Sequence, residues 1–329
     1  MAAEAQVQFF LGANAPTGFY SLYDQLIDPA EAEDIYILKG GPGCGKSSLM
    51  KRVGGALEER GLAAEYIPCS GDPDSLDAVV FPSLKAAIVD GTAPHVVEPK
   101  YPGAVECYVN LGDCYDKAAL ARIKPEIISC MTGYKGCYTR AYRCLNAAAQ
   151  IGEDMRALLS TPALEAKAAK RVKGILAREV KKSGSEPGKA VQRFLGAITW
   201  KGPLCLFDTA DALCRRIYEL SDTYGLAHTM LTHLAAGAMA AGYDVIVCPA
   251  LMAPDRIEHL LIPALSLGER ELLLLVCCRL LCASAEPYVY EAVTAAFDCG
   301  GHSFTAKGKR NLSEGWREID RIFRAFLKE

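Results

Sequence analysis

The sequence predicts an α/β fold: two tandem parallel-sheet domains of P-loop type, the second a degenerate copy of the first, with a helical insertion between them. Three observations predict it. A short apolar run at residues 35–38 leads directly into a glycine-rich loop and then an amphipathic stretch. The segment that begins at Gln8 recurs, altered, from Gln192. The 329 residues are 51% hydrophobic and 23% charged, which is enough apolar material for two buried cores and excludes a mainly disordered chain.

The run Ile35-Tyr36-Ile37-Leu38 reads as a buried parallel strand. Gly40, Gly41, Pro42, Gly43, Cys44, Gly45, Lys46 and Ser47 follow at once, matching the phosphate-binding pattern G-x-x-x-x-G-K-S, with Ser48 next. Leu49, Met50, Val53 and Leu57 then fall at helical spacing, closing near Gly61. The chemistry expected of this pattern is binding of Mg2+ and ATP. Glycines let backbone N–H groups wrap the phosphates, and the helix N-terminus adds its dipole. Lys46 supplies a point charge at the β- and γ-phosphates, and Ser47 a hydroxyl ligand for the metal.

A second metal-holding residue is expected at the end of a later apolar strand, and Asp90, closing Ala86-Ala-Ile-Val-Asp90, has that place. A further strand is expected at residues 63–69. Gly91 follows Asp90 where many P-loop ATPases carry a glutamate base, and the base-reading pattern N-K-x-D of GTPases is absent from the chain. Asp72, Asp74 and Asp77, just past the second strand, and His95 are the candidate catalytic helpers, because strand C-terminal ends converge on the ligand crevice of open α/β sheets. Each also has a plainer reading as a cap or turn residue.

The repeat aligns residues 8–24 with 192–208, eight of the seventeen positions being identical. Residues 35–38 then meet 217–220, and residues 61–84 meet 242–265, with Pro68 on Pro249, Pro73 on Pro254 and Pro82 on Pro263. Between these anchors Gly40 becomes Asp222, Gly45 becomes Ala227, Lys46 becomes His228 and Ser47 becomes Thr229. A carboxylate where phosphate should sit and a neutral imidazole in place of the ammonium predict a copy that packs but binds no nucleotide. The strand expected at residues 272–276 leads to no acid.

Residues 116–157 read as helices broken near Pro125, Gly133 and Gly136, with Cys130, Cys137 and Cys144 on one face. Lys135, Arg140 and Arg143 could form a cationic lid or simply a solvated face. Residues 164–189 carry eight Lys or Arg against three acids and read as a surface helix. The glycine-containing stretch at 183–188 is the expected joint, dividing the chain into an α/β core (1–112), a helical insertion and linker (113–188) and the degenerate copy (189–329). An amphipathic helix is expected from about Ser313, with Trp316, Ile319, Phe323 and Phe326 on its apolar side.

The net charge of −3 gives no pull toward nucleic acid. The uncharged run at residues 223–243 is rich in Ala, Gly, Thr and His and reads as a buried helix, not a membrane span. Without a signal peptide the expected compartment is the cytoplasm, with the fourteen cysteines reduced, none of them in a C-x-x-C pair and no His/Cys cluster reading as a zinc site.

The segments FFLGANAPTGFYSLYD, IYILKGGPGCGKSSLMK, CSGDPDSLDAVV and AAIVDGTAPHVVEPKYPGA together resemble a bacterial family of tandem P-loop NTPase (ATPase-like) proteins. The likeness is close over most of residues 8–150 and loose beyond. It implies a P-loop fold and ATP binding through residues 40–47, and it implies no particular reaction. Members often keep a P-loop in both halves, and this chain departs from them in its second copy. Three functions are therefore open: ATP hydrolysis with water positioned by Asp72 or Asp74, phosphoryl transfer to a small-molecule acceptor, and an ATP-gated binding module.

Overall fold

The computed structural model describes residues 6–159, 161–220, 222, 226–265, 289–299 and 302–313. The chain divides into two units, one of residues 1–214 with 221–266, the other of residues 215–220 with 267–329.

The first unit opens with β1 (Val7–Gln8) and a hairpin of β2 (Gly12–Ala15) and β3 (Gly18–Ser21). Then follow β4 (Asp34–Lys39), α1 (Lys46–Glu58), β5 (Glu65–Pro68), β6 (Leu76–Phe81), β7 (Ala86–Asp90) and β8 (Glu106–Asn110). Six of these strands form one sheet in the order β1-β5-β6-β7-β4-β8. The expectation of a parallel sheet needs correcting here. β7, β4 and β8 run parallel, as do β1 and β5, but β6 is antiparallel to both neighbours. Only residues 69–75 join β5 to β6 and only 82–85 join β6 to β7, too few for the crossover that parallel pairing needs. α1 buries Met50, flanked by Leu49, Val53 and Leu57, against Leu38, Tyr66, Val79 and Phe81 of the sheet.

Next come α2 (Lys117–Arg122), α3 (Lys124–Leu159) and α4 (Pro162–Glu179). The chain does break before Pro125, at Ile123, but α3 runs unbroken through Gly133 and Gly136 for 36 residues, about 54 Å. Each glycine costs a helix about 1 kcal/mol relative to alanine, too little to interrupt so many consecutive backbone bonds. α3 buries no residue; Tyr134, Tyr138 and Tyr142 form a ladder along it, and the Tyr142 hydroxyl donates to Asn14 Oδ1 at 2.9 Å. α4 is the surface helix its charges predict, with Ala168 and Val172 on its buried side.

The second copy follows as β9 (Ala190–Gln192), the hairpin β10 (Gly196–Thr199) and β11 (Gly202–Cys205), α5 (Phe207–Leu213), α6 (Ala227–Ala240), β12 (Val245–Ala250) and β13 (Ala253–Leu261). The repeat read from sequence is a repeat of structure. The two hairpins turn on Gly18 and Gly202, with φ of 117° and 100°. β5–β6 and β12–β13 are both antiparallel pairs preceded by a left-handed glycine, Gly61 (φ 82°) and Gly242 (φ 91°). Among the described residues, 217–220, which align with β4, form no strand.

The copies meet through equivalent residues. Phe10 N–H donates to the Phe194 carbonyl and Phe194 N–H to the Phe10 carbonyl, both at 2.8 Å. Gln8 N–H donates to Thr209 Oγ1 of the second copy, and Gln192 N–H to Gln25 Oε1 of the first, again at aligned positions. Such reciprocity is what a local two-fold axis produces. Phe9, Phe10, Leu11, Ile37 and Val89 share one core with Phe194, Leu195, Ala197, Cys248 and Leu261. The boundary expected at 188/189 therefore lies inside a compact unit, because neither copy buries its apolar face alone.

No helix among the described residues is long and apolar enough to cross a membrane; α6 covers most of the uncharged run. The second unit contains a long antiparallel hairpin, β14 (Val289–Cys299) and β15 (His302–Ser313). The strand expected at 272–276 and the helix expected beyond Ser313 lie outside the described residues.

Candidate functional site

β4 and β7 are adjacent and parallel, with Leu38 opposite Asp90, so their C-terminal ends open on one edge of the sheet. The 40–47 loop leaves β4 at that edge and turns into α1. Gly43 (φ 79°) and Gly45 (φ 91°) take left-handed conformations in which an L side chain is strained, and no atom lies within 4 Å of where a Cβ would stand. Gly45 caps α1, and among the described residues no side chain caps the N–H groups of the helix's first turn.

Lys46 lies at the centre of this loop, 9% exposed. Its Nζ donates to the carbonyls of Gly40 at 2.5 Å and Gly41 at 3.0 Å, and lies 3.4 Å from Asp90 Oδ2. Asp90 Oδ1 accepts from Thr92 N–H at 2.8 Å, and Thr92 Oγ1 donates to the same Gly40 carbonyl at 2.9 Å. Gly41 N–H donates to the Tyr115 phenol oxygen. Ser47 Oγ accepts from Leu76 N–H at 3.0 Å, tying the first turn of α1 to the start of β6. The structure thus joins Lys46, Asp90 and the loop glycines, as expected from sequence. It adds Thr92 and Tyr115, which no motif announces because both reach the loop from other segments. Pro42 and Ser48 are exposed on its rim, and Cys44 Sγ lies 3.8 Å from Lys46 Nζ. An ammonium and free helix N–H groups suit an anion, and the Ser47 and Asp90 oxygens suit a hard divalent cation.

The helper acids separate. Asp72 Oδ2 accepts from Ser75 Oγ at 2.7 Å, a bond that holds its carboxyl below the ordinary carboxylate range. Ser75 precedes Leu76, so this turn abuts Ser47. Asp74 is instead a surface tether, its carboxylate paired with Lys201 at 2.5 Å and its carbonyl accepting from Lys51. Asp77 and His95 are buried with Tyr23, beside a half-buried Cys69. Lys135, Arg140 and Arg143 are exposed on α3.

The aligned place in the second copy is satisfied by its own side chains. Asp222 Oδ1 accepts from Ala227 N–H at 3.0 Å, putting a carboxylate at the N-terminus of α6. His228, aligned with Lys46, accepts the Ile257 N–H on Nδ1 at 2.9 Å. Ile257 aligns with Leu76, so the imidazole takes over the tether that Ser47 makes in the first copy. Burial and the charge of Arg256 hold the His228 ring below its ordinary pKa of 6.5.

No family model and no solved structure matches the chain. A 62-residue stretch, 19% of the chain, is 40% identical to DNA topoisomerase 3 of Bacillus licheniformis and covers 8% of that protein. The chain is thus similar to a small fraction of that enzyme's length, a local likeness that shows no family.

Proposed function

We propose that the first copy binds Mg·ATP at residues 40–47 and hydrolyses it, and that the second copy binds no nucleotide. The observation that carries this reading is the position of Lys46: nearly buried, held by the Gly40 and Gly41 carbonyls, and 3.4 Å from a carboxylate at the end of the neighbouring parallel strand. In a glycine loop that feeds a helix N-terminus, that set of groups fits a polyphosphate and its metal. Lys46 would exchange its carbonyl partners for phosphate oxygens, a charge-assisted contact. Ser47 and Asp90 would hold the metal, which when bound neutralises phosphate charge. Asp72, in a turn tethered to Ser47 through Leu76, is the better placed of the two acids to orient water, since Asp74 is committed to Lys201.

Transfer of the γ-phosphoryl group to a small acceptor is the second reading, favoured by Gly91. A Cβ there would lie 2.4 Å from Ile37 Cγ2, so packing admits no glutamate base beside Asp90. Phosphate release from Mg·ATP, with Lys46→Ala alongside, tests both readings. Release that disappears in the variant supports hydrolysis. ATP bound without release supports transfer, and equal release by both proteins overturns the assignment of this site.

A further inference from the structure

A second cluster, linked to the 40–47 loop through Thr92, is not used by the proposed reaction. Cys69 follows β5, Asp77 lies on β6 and His95 on the loop after β7. One ligand-capable atom from each, a sulfur, a carboxylate oxygen and an imidazole nitrogen, lies within 4.8 Å of the other two. Asp77 is 4% and His95 7% exposed. The His95 ring is aimed into the cluster, with Nε2 3.4 Å from Asp77 Oδ2, and its Nδ1 is buried with no hydrogen-bond partner. Phe19 and Tyr23 pack on the imidazole, each with ring centroids 5.1 Å away. The Tyr23 hydroxyl donates to Asp77 Oδ2 at 2.8 Å, the kind of outer contact that orients a ligating carboxylate.

We propose that Cys69, Asp77 and His95 bind one divalent metal ion of the zinc class. Thiolate, imidazole and carboxylate together suit a borderline-soft ion and do not suit magnesium or calcium. Zinc bonds of about 2.0–2.3 Å put neighbouring ligands about 3.3–3.8 Å apart, so the cluster, whose ligand atoms lie within 4.8 Å of one another, closes on an ion by contracting about 1.5 Å at most. Burial and the nearby Asp77 push the Cys69 thiol up to about 12. Metal uptake therefore replaces the S–H bond with a sulfur–metal bond and releases that proton to solvent. The ion would staple the end of β5, β6 and the loop after β7, which carries Thr92 and begins next to Asp90. That loop is already tied to the glycines, since His95 N–H donates to the Thr92 carbonyl and Thr92 to Gly40. The three ligands come from three elements, which is why no zinc-like spacing is visible in the sequence.

Cobalt(II) titration of the intact chain, without nucleotide, tests this. We expect one ion per chain with a sulfur-to-cobalt charge-transfer band. Cobalt on the Ser47 and Asp90 oxygens gives no such band, so failure here is distinct from failure of the ATP reading. The band is lost in Cys69→Ser, kept in Cys205→Ser, and needs about tenfold or more cobalt in His95→Gln. No band from the wild-type protein, or a band surviving in Cys69→Ser, overturns the proposal. Should a variant not fold, X-ray absorption of the wild-type zinc complex decides: one sulfur among nitrogen and oxygen neighbours supports the site, and no sulfur or several sulfurs overturns it.

Discussion

The two copies keep the same frame and differ where one of them meets its candidate ligand. Hairpins β2–β3 and β10–β11, the left-handed glycines that set them, and the antiparallel pairs that follow are superposable in sequence and in pairing pattern. At the helix that follows the aligned loop the copies part. The first leaves the N-terminus of α1 without a side-chain cap and holds an ammonium beside it. The second puts the Asp222 carboxylate on α6 and uses His228 as a backbone tether. A helix N-terminus must be satisfied by something, and an internal anion does in one copy what phosphate is proposed to do in the other. The frame persists in both because it forms their common core.

Breaking that core should have the largest effect. Phe10→Ala and Phe194→Ala should each lower stability by about 3–5 kcal/mol in urea unfolding, since both rings are fully buried at the point where the copies pair. A Phe194→Ala protein that unfolds at the wild-type midpoint would show that the first copy is stable without the second. Next in size is Lys46→Ala, expected to lower phosphate release about 10²-fold with folding intact. His228→Ala should leave release unchanged.

Asp222→Ala should cost about 1 kcal/mol through the lost contact at the N-terminus of α6. His228→Lys should leave one ATP per chain in equilibrium dialysis, because Asp222 and Ala227 remain; two ATP per wild-type chain would refute the contrast between the copies. The smallest effect is a pH dependence. His228 must be unprotonated at Nδ1 to accept the Ile257 N–H, and its folded pKa lies below the ordinary 6.5. Its contribution is present above that value and is lost as pH falls from about 6.5 through the folded pKa. Melting temperatures of the wild type and His228→Gln should thus converge between pH 7 and pH 5, and parallel curves would remove the role given to the ring.

The strand at 35–38, the helix from Lys46, the strand ending at Asp90 and the internal repeat were all legible in the sequence. Their signals are local: a contiguous glycine pattern, apolar spacing along one helix, and prolines and glycines whose backbone demands survive when side chains change. The 36-residue run of α3 is not legible in this way, because its glycines signal breaks locally while the backbone bonds on either side carry the helix through them. Tertiary structure alone decided the antiparallel course of β6, the pairing of Phe10 with Phe194, the separation of Asp72 from Asp74, the new task of His228, and the meeting of Cys69, Asp77 and His95. Each depends on residues distant along the chain whose approach is set by how the shared core closes, and no spacing along one segment encodes that.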